Sequence, residues 1–322
     1  MHTNSRRFVV SSALCLALVG CSPKGDSPTA PPPPPPTHFT VFTSTRSGTH
    51  NYITDLDGSG ATQFVLGTGT GIVDTHPSIT SNGNLLVYQS SPGRGGSSDV
   101  FGFNRITGLI IDDDSVNTTA AETDPYLSLD GRQLAFVRGA PGQRHIRLFD
   151  TQARTFRDLT NLAALSGEDW QPALDGLGSR IAFVSNRFGN GNADVFVYDV
   201  STQTLRSLPL LTSPDDDVEP SVSGDGRFVA FASNRAGGLG GYDLYLLDLN
   251  TSALVPVTVN SISNDRHPSL SQDGTHIQFV SDRAGGSGGR DLWLYDRTTG
   301  NVVRVTDQNS AADDFDPVMV WP

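Results

Sequence analysis

Short runs in which apolar and polar residues alternate dominate the chain, as in Arg180-Ile181-Ala182-Phe183-Val184-Ser185 and Asp194-Val195-Phe196-Val197-Tyr198-Asp199. A period of two over about six residues marks a half-buried strand. No stretch of ten or more residues carries a helical period, so the pattern predicts an all-β protein. Between the runs stand Asn82-Gly83, Asp130-Gly131, Asp225-Gly226 and Asp273-Gly274, pairs that tolerate the positive backbone angles of a tight hairpin turn. Leu177-Gly178 replaces the pair once.

These elements recur at a fixed period. Pro77, Pro125, Pro172, Pro220, Pro268 and Pro317 are separated by 48, 47, 48, 48 and 49 positions. Each complete copy has a glycine six residues after the proline and an aromatic residue eleven after it: Tyr88, Phe136, Phe183, Phe231 and Phe279. A repeat of this length suits one four-stranded propeller blade, which cannot bury its own faces without neighbours. In the third copy the fourth strand is expected near Leu205 to Leu211. Phe315 to Trp321 reads as a lone first strand, whereas Phe39 to Ser44, Asn51 to Asp55 and Gln63 to Leu66 read as strands two to four of a copy that lacks its first. Joined, they complete a sixth blade. The expectation is a six-bladed β-propeller of four-stranded antiparallel blades over residues 38–322, its edges sealed by pairing the two chain ends.

The repeat itself, Asp-x-x-Pro, then Ser-x-Asp-Gly-Arg, then Phe-x-Ser-Asn-Arg, then Asp-Leu-Tyr-Leu across Asp217 to Leu246, resembles that of TolB-type six-bladed propellers. The resemblance covers roughly residues 38 to 322. It implies the fold; the family's docking and import roles are not carried over to this chain. In that family an α/β domain precedes the propeller and the protein is soluble in the periplasm. Here residues 22 to 37 precede it.

The chain opens with Arg6 and Arg7, an apolar run from Phe8 to Val19, and Leu18-Val19-Gly20-Cys21. The run is too short to span a bilayer and reads as a secretory signal over residues 1–20. Leu-x-Gly-Cys is similar to the lipobox of bacterial lipoproteins, which implies acylation of Cys21. Ser22 in the next position resembles the outer-membrane address of that class, facing the periplasm. Residues 21–37, with Pro23, Pro28 and the run Pro31 to Pro36, are expected to form an extended tether. It enters the ring at the start of a second strand, which turns the channel mouth away from the membrane. Cys15 and Cys21 are the two cysteines of the whole chain, so the propeller contains no disulfide.

Net charge is −12, which disfavours nucleic acid and anionic membrane surfaces; the lipid anchor is the one expected membrane contact. The segments leading into the first strands hold 17 of the 34 acidic residues and a single base, Arg266. First strands are innermost in a propeller, so this charge is expected around one mouth of the central channel. Asp74, Glu122, Asp169, Asp217, Asp265 and Asp314, each three residues before a repeat proline, suit acceptors of backbone N–H groups that fix the turn. Arg187 with Asp194, Arg235 with Asp243 and Arg283 with Asp291 suggest loop-bracing ion pairs.

The residues immediately before the prolines, His76, Asp124, Gln171, Glu219, His267 and Asp316, are expected to form a polar ring at the mouth. Imidazole, carboxylate and amide groups converging on an axis suit a hard or borderline divalent cation; no other cofactor is implied. Trp170 and Phe315, one position earlier, and the run Asp215-Asp216-Asp217 are candidate partner contacts. No Gly-x-Ser-x-Gly elbow, Walker loop, dinucleotide fingerprint or zinc-protease helix occurs, and Gly237 to Gly241 and Gly285 to Gly289 read as flexible loops. The expected function is a non-catalytic envelope lipoprotein that binds a protein or peptide of basic character at its acidic mouth. The alternative is a metal-dependent hydrolase or lyase acting there on a saccharide or peptide.

Overall fold

In a computed structural model, which describes residues 38–321 apart from 47, 57–71, 94–95, 160–166, 189–190, 207, 212, 287–288 and 307–310, each repeat proline occupies a β-bulge. His76-Pro77 opposes the single residue Tyr88, and the same two-against-one arrangement sets Asp124-Pro125 against Phe136, Gln171-Pro172 against Phe183, Glu219-Pro220 against Phe231 and His267-Pro268 against Phe279. Asp316-Pro317 likewise opposes Phe42. Proline has no N–H, so it is suited to the place where the ladder is interrupted. The eleven-residue spacing from proline to aromatic is this bulge seen in the sequence.

Five sheets contain four antiparallel strands in chain order from the channel outward, as in Asp217–Val222, Phe228–Ser233, Asp243–Asp248 and Ala253–Pro256. In the sixth, Asp314–Val320 pairs with Phe39–Ser44, which pairs with His50–Asp55. The first strands Val73–Ile79, Glu122–Leu127, Asp169–Leu174, Asp217–Val222, Asp265–Leu270 and Asp314–Val320 contact one another in turn, the last returning to the first. The ring is therefore closed, as the chain ends implied. The segment Gln63 to Leu66, Cys21 and residues 1–37 lie outside the described residues.

The innermost strand of a blade has no partner on its axial side, so its inward N–H groups need acceptors from elsewhere. The neighbouring blade provides them. Ser78, Ser221 and Ser269 hydroxyls accept from Leu127, Leu270 and Met319 N–H at 2.9, 3.0 and 2.8 Å. At the hairpin end, turns bond one another around the ring, Ser81 N to Leu129 O, Gly176 N to Gly224 O, Asp225 N to Gln272 O and Gln272 N to Trp321 O.

Three sequence expectations change. The third blade's fourth strand is only Thr204–Leu205 and gives way to a 3-10 turn over Pro209–Leu211, because Pro209 cannot donate to the ladder. The loop arginines do not pair with Asp194, Asp243 and Asp291. Instead Arg187, Arg235 and Arg283 bond Asp169, Asp217 and Asp265 at 2.6, 2.7 and 2.9 Å, with Arg46 on Asp314 and Arg138 on Glu122 in the same role. Each guanidinium also lies over the bulge-facing aromatic, 4.7 to 5.6 Å from the rings of Phe42, Phe136, Phe183, Phe231 and Phe279. Five of the six acids before the prolines thus answer an arginine of their own blade more than the turn backbone, though Glu122 also accepts from Thr118 N. Finally, Gly238 is closely packed: a Cβ there would overlap the Asp243 carboxylate, so this glycine lets the loop settle on that acid.

Asp194 carries the consequence of losing its expected partner. It is 1% exposed, accepts from Ser213 N at 3.2 Å through one oxygen and leaves the other unbonded. Burial, reinforced by the charges of Asp217 and Asp216, pushes its pKa up to about 6. A carboxyl raised in the folded state contributes its stability at low pH and loses it as pH climbs through the folded value, here from roughly pH 4 to 6. Asp194→Asn should therefore flatten that part of the stability curve, narrowing the loss between pH 4.5 and 7.5 by on the order of 2 kcal/mol in denaturant titrations. A second outcome concerns the caps: Ser221→Ala leaves the buried Leu270 N–H without its acceptor and should cost about 1 to 3 kcal/mol, read as a lowered denaturation midpoint with an unchanged slope.

Candidate functional site

All six residues before the prolines adopt left-handed backbone angles, φ 51° at His76, 50° at Asp124, 51° at Gln171, 56° at Glu219, 48° at His267 and 51° at Asp316. Non-glycine residues in this region cost on the order of 1 to 3 kcal/mol each and persist only where their surroundings hold them. Here the bulge holds them. It brings all six side chains, with the six prolines, to one cavity of about 90 Å³ at the channel mouth. The ring read from the sequence is thus assembled in one place.

Its polarity has a backbone cause. Gln171 N donates to Asp124 Oδ2 at 3.3 Å, Glu219 N to Gln171 Oε1 at 3.1 Å and His267 N to Glu219 Oε2 at 2.9 Å. Each side chain caps the next blade's bulge N–H, which an apolar residue could not do. Asp124 N is capped by Gln89 Oε1 at 3.2 Å, from the second strand of the blade that contributes His76.

On the other side of the ring the side chains alternate acid and base. Glu219 Oε1 lies 3.2 Å from His267 Nε2, and His267 Nδ1 lies 3.2 Å from Asp316 Oδ1. His76 stands between Asp316 at 3.6 Å and Asp124 at 3.7 Å. Burial opposes a charge on His76, but the carboxylates of Asp316, Asp124 and Glu219 outweigh it and raise its pKa above the ordinary imidazole value. Arg266 makes two bonds to Glu219, at 2.6 and 3.2 Å, and stacks 4.3 Å from the Tyr242 ring centre.

Tyr126 was not singled out in the sequence. It follows its proline at a position held elsewhere by Ser78, Ala173, Ser221, Ser269 and Val318, so its size alone marks it. It lines both the mouth cavity and a second cavity of about 80 Å³ at the hairpin end, where Leu129, Leu174, Leu270, Met319 and Trp321 also lie. It packs against apolar clusters from three separate blade seams. Burial, and then the charge of Asp175, push its hydroxyl up to about 12. Tyr126 makes the floor of the mouth, which is a cup.

The partner-contact candidates divide. Trp170 is partly buried, with Arg144 4.6 Å from its ring centre, and Phe315 is partly buried with Arg290 at 5.4 Å. Asp217 is fully buried on Arg235, while Asp215 and Asp216 retain partial exposure. Much of the acidic charge gathered at this end is therefore neutralised internally. Among the described residues, no three His, Cys, Asp or Glu side chains converge as a metal cage; the mouth's donors face each other in pairs. No described helix is long and apolar enough to cross a membrane.

No family model matches the chain, and no curated protein matches it in sequence. Solved structures do match in shape. TolB from Acinetobacter baumannii superposes with a TM-score of 0.65 at 18% identity, over 89% of this chain and 68% of that one. A TolB-assigned protein from Agrobacterium tumefaciens gives 0.58 at 17% identity, over 88% and 98%. An oligogalacturonate lyase in complex with manganese gives 0.54 at 14% identity, over 82% and 72%. Likeness at such identities speaks to architecture, which binding proteins and enzymes share. With six sheets in a closed ring and these superpositions, the chain is a TolB-like six-bladed β-propeller in fold.

Proposed function

We propose that the chain is a non-catalytic binding module of the bacterial cell envelope, carried on a lipid anchor at Cys21 and facing the periplasm from the outer membrane. Its channel mouth recruits a protein or peptide of basic character. The observation that carries this reading is the cup: a collar in which the carboxylates of Asp124, Glu219 and Asp316 face two imidazoles and Arg266, with Tyr126 below. A cup with a charged collar is shaped to receive an end group of a partner. Trp170 and Phe315, each partly exposed beside the collar, supply apolar contact area, and Asp215 and Asp216 extend the negative rim.

The alternative, a metal-dependent hydrolase or lyase on a saccharide or peptide, draws on the shared fold of the manganese-bound lyase. Against it stands the pairwise engagement of His76 and His267 with carboxylates around the circumference. A stoichiometric divalent ion in the purified protein, lost on replacing both histidines, would favour the enzyme.

Photo-crosslinkers at positions 170 and 315 in cells should capture one envelope protein. Reversing Asp215 and Asp216 to lysine should reduce that capture several-fold, and raising ionic strength should weaken capture by the parent protein. Capture indifferent to both charge reversal and salt would remove the acidic mouth as the docking site.

A further inference from the structure

Asp316 stands apart within the collar. It is 9% exposed, and its Oδ2 is buried at the cup without a hydrogen bond, whereas Oδ1 meets His267 at 3.2 Å. A buried carboxylate oxygen without a donor calls for a ligand or a cost borne elsewhere. His76 Nδ1 lies 3.6 Å from it, beyond hydrogen-bond length. The two imidazoles are held very differently. His267 is fixed at 3.2 Å on both sides, and its backbone N–H is bonded to Glu219. His76 touches its two carboxylates only at 3.6 and 3.7 Å, and 35% of its side chain is exposed.

The charge count of the collar turns on those imidazoles. When both are protonated, they and Arg266 balance Asp124, Glu219 and Asp316. When both are neutral, two negative charges are left uncovered.

Resting on the binding-module reading above, we propose that the cup receives a single ammonium group on an aliphatic stem, seated on Asp316 Oδ2 in place of the His76 imidazolium. An ammonium, compact and with three donors, suits one free oxygen flanked by further carboxylates. A guanidinium needs a fork of acceptors or an aromatic face. The forks are already taken, since Arg266 occupies Glu219 and the blade arginines occupy their own acids and rings. Six pyrrolidine rings line the cup without N–H donors, which suits an aliphatic stem, and Tyr126 lines both this cavity and the one at the hairpin end, standing between them. A bare metal ion finds no converging cage among the described residues.

His76 makes the seat proton-linked. The groups facing it are Asp316, Asp124 and Glu219 by charge, with Thr75 Oγ1 at 3.0 Å from Nδ1. The proton and the ammonium cover the same carboxylates, so binding expels the proton. Affinity then rises with pH by up to about tenfold per unit across the His76 titration.

Calorimetry with the intact propeller and four probes tests this: acetyl-Ala-Lys-Ala-amide, Ala-Ala-Ala-amide with a free amino terminus, acetyl-Ala-Arg-Ala-amide and manganese chloride. The lysine peptide should bind one to one, and binding of the amino-terminal peptide alone would remove the aliphatic stem and overturn the proposal. Enthalpies in buffers of different ionisation heat should show one proton released. Asp316→Asn should weaken binding at least about tenfold, and His76→Gln should keep binding while abolishing its pH dependence. Should Asp316→Asn fail to fold, the His76→Gln profile decides alone. Binding by neither ammonium peptide, equal binding of the arginine peptide, manganese bound in their place, or an unchanged pH slope in His76→Gln would each overturn the proposal. If the peptides fail while crosslinked capture at positions 170 and 315 persists in Asp316→Asn, the docking reading stands and the ammonium seat falls.

Discussion

A ring of β-sheets has an inner edge that no further strand can cover, and the structure is organised around the N–H groups of that edge. Each blade lends acceptors to the next: collar side chains at the mouth, serine hydroxyls below them, and turn carbonyls at the hairpin end. Buried donors without acceptors cost more than most single contacts supply, so satisfaction of this edge ties blade to blade as firmly as apolar packing does. The lone strand Asp314–Val320 completes the same network, with Met319 N bonded to Ser269 and Trp321 O accepting from Gln272. Closure is therefore a matter of hydrogen-bond supply as well as of edge protection.

The same constraint creates the candidate site. A bulge ending in proline turns one residue per blade into the left-handed region and points it at the axis. Three of those side chains, Asp124, Gln171 and Glu219, are drawn into backbone capping, and Glu219 also into bidentate pairing with Arg266. Where histidine takes the position, the capping chain breaks: Gln89 covers Asp124 N in place of His76. Scaffold and site are thus made of the same ring, and its unsatisfied arc, Asp316 and His76, is where the scaffold's demands stop.

Charge follows the same division. The densest acidic positions looked like an open rim, yet the acid three residues before the proline is engaged inside the blade by an arginine stacked on the bulge-facing aromatic in five of the six blades. In blade one, the Asp74 carboxylate lies instead 3.8 Å from His50 Nδ1, and burial raises its pKa. Buried pairs of this sort contribute definition more than net stability, because desolvation offsets much of their attraction. What faces solvent at the mouth is a smaller, more local field than the composition suggests.

Proline spacing, Asp-Gly turns and alternating strands determined the all-β class, the blade count and the closure by chain ends, since all follow from local patterns that recur along the chain. They also put His76, Asp124, Gln171, Glu219, His267 and Asp316 in one column, because equal positions in equal blades must share one level of the ring. Only the tertiary structure decided which arginine meets which acid, since Arg235 reaches Asp217 across strands while its sequence neighbour Asp243 turns under a glycine loop. It alone showed that Tyr126 floors the channel and that one oxygen of Asp316 is left without a donor. Periodicity fixes where a residue stands in its blade; what it touches depends on side-chain reach between blades, which no single repeat contains.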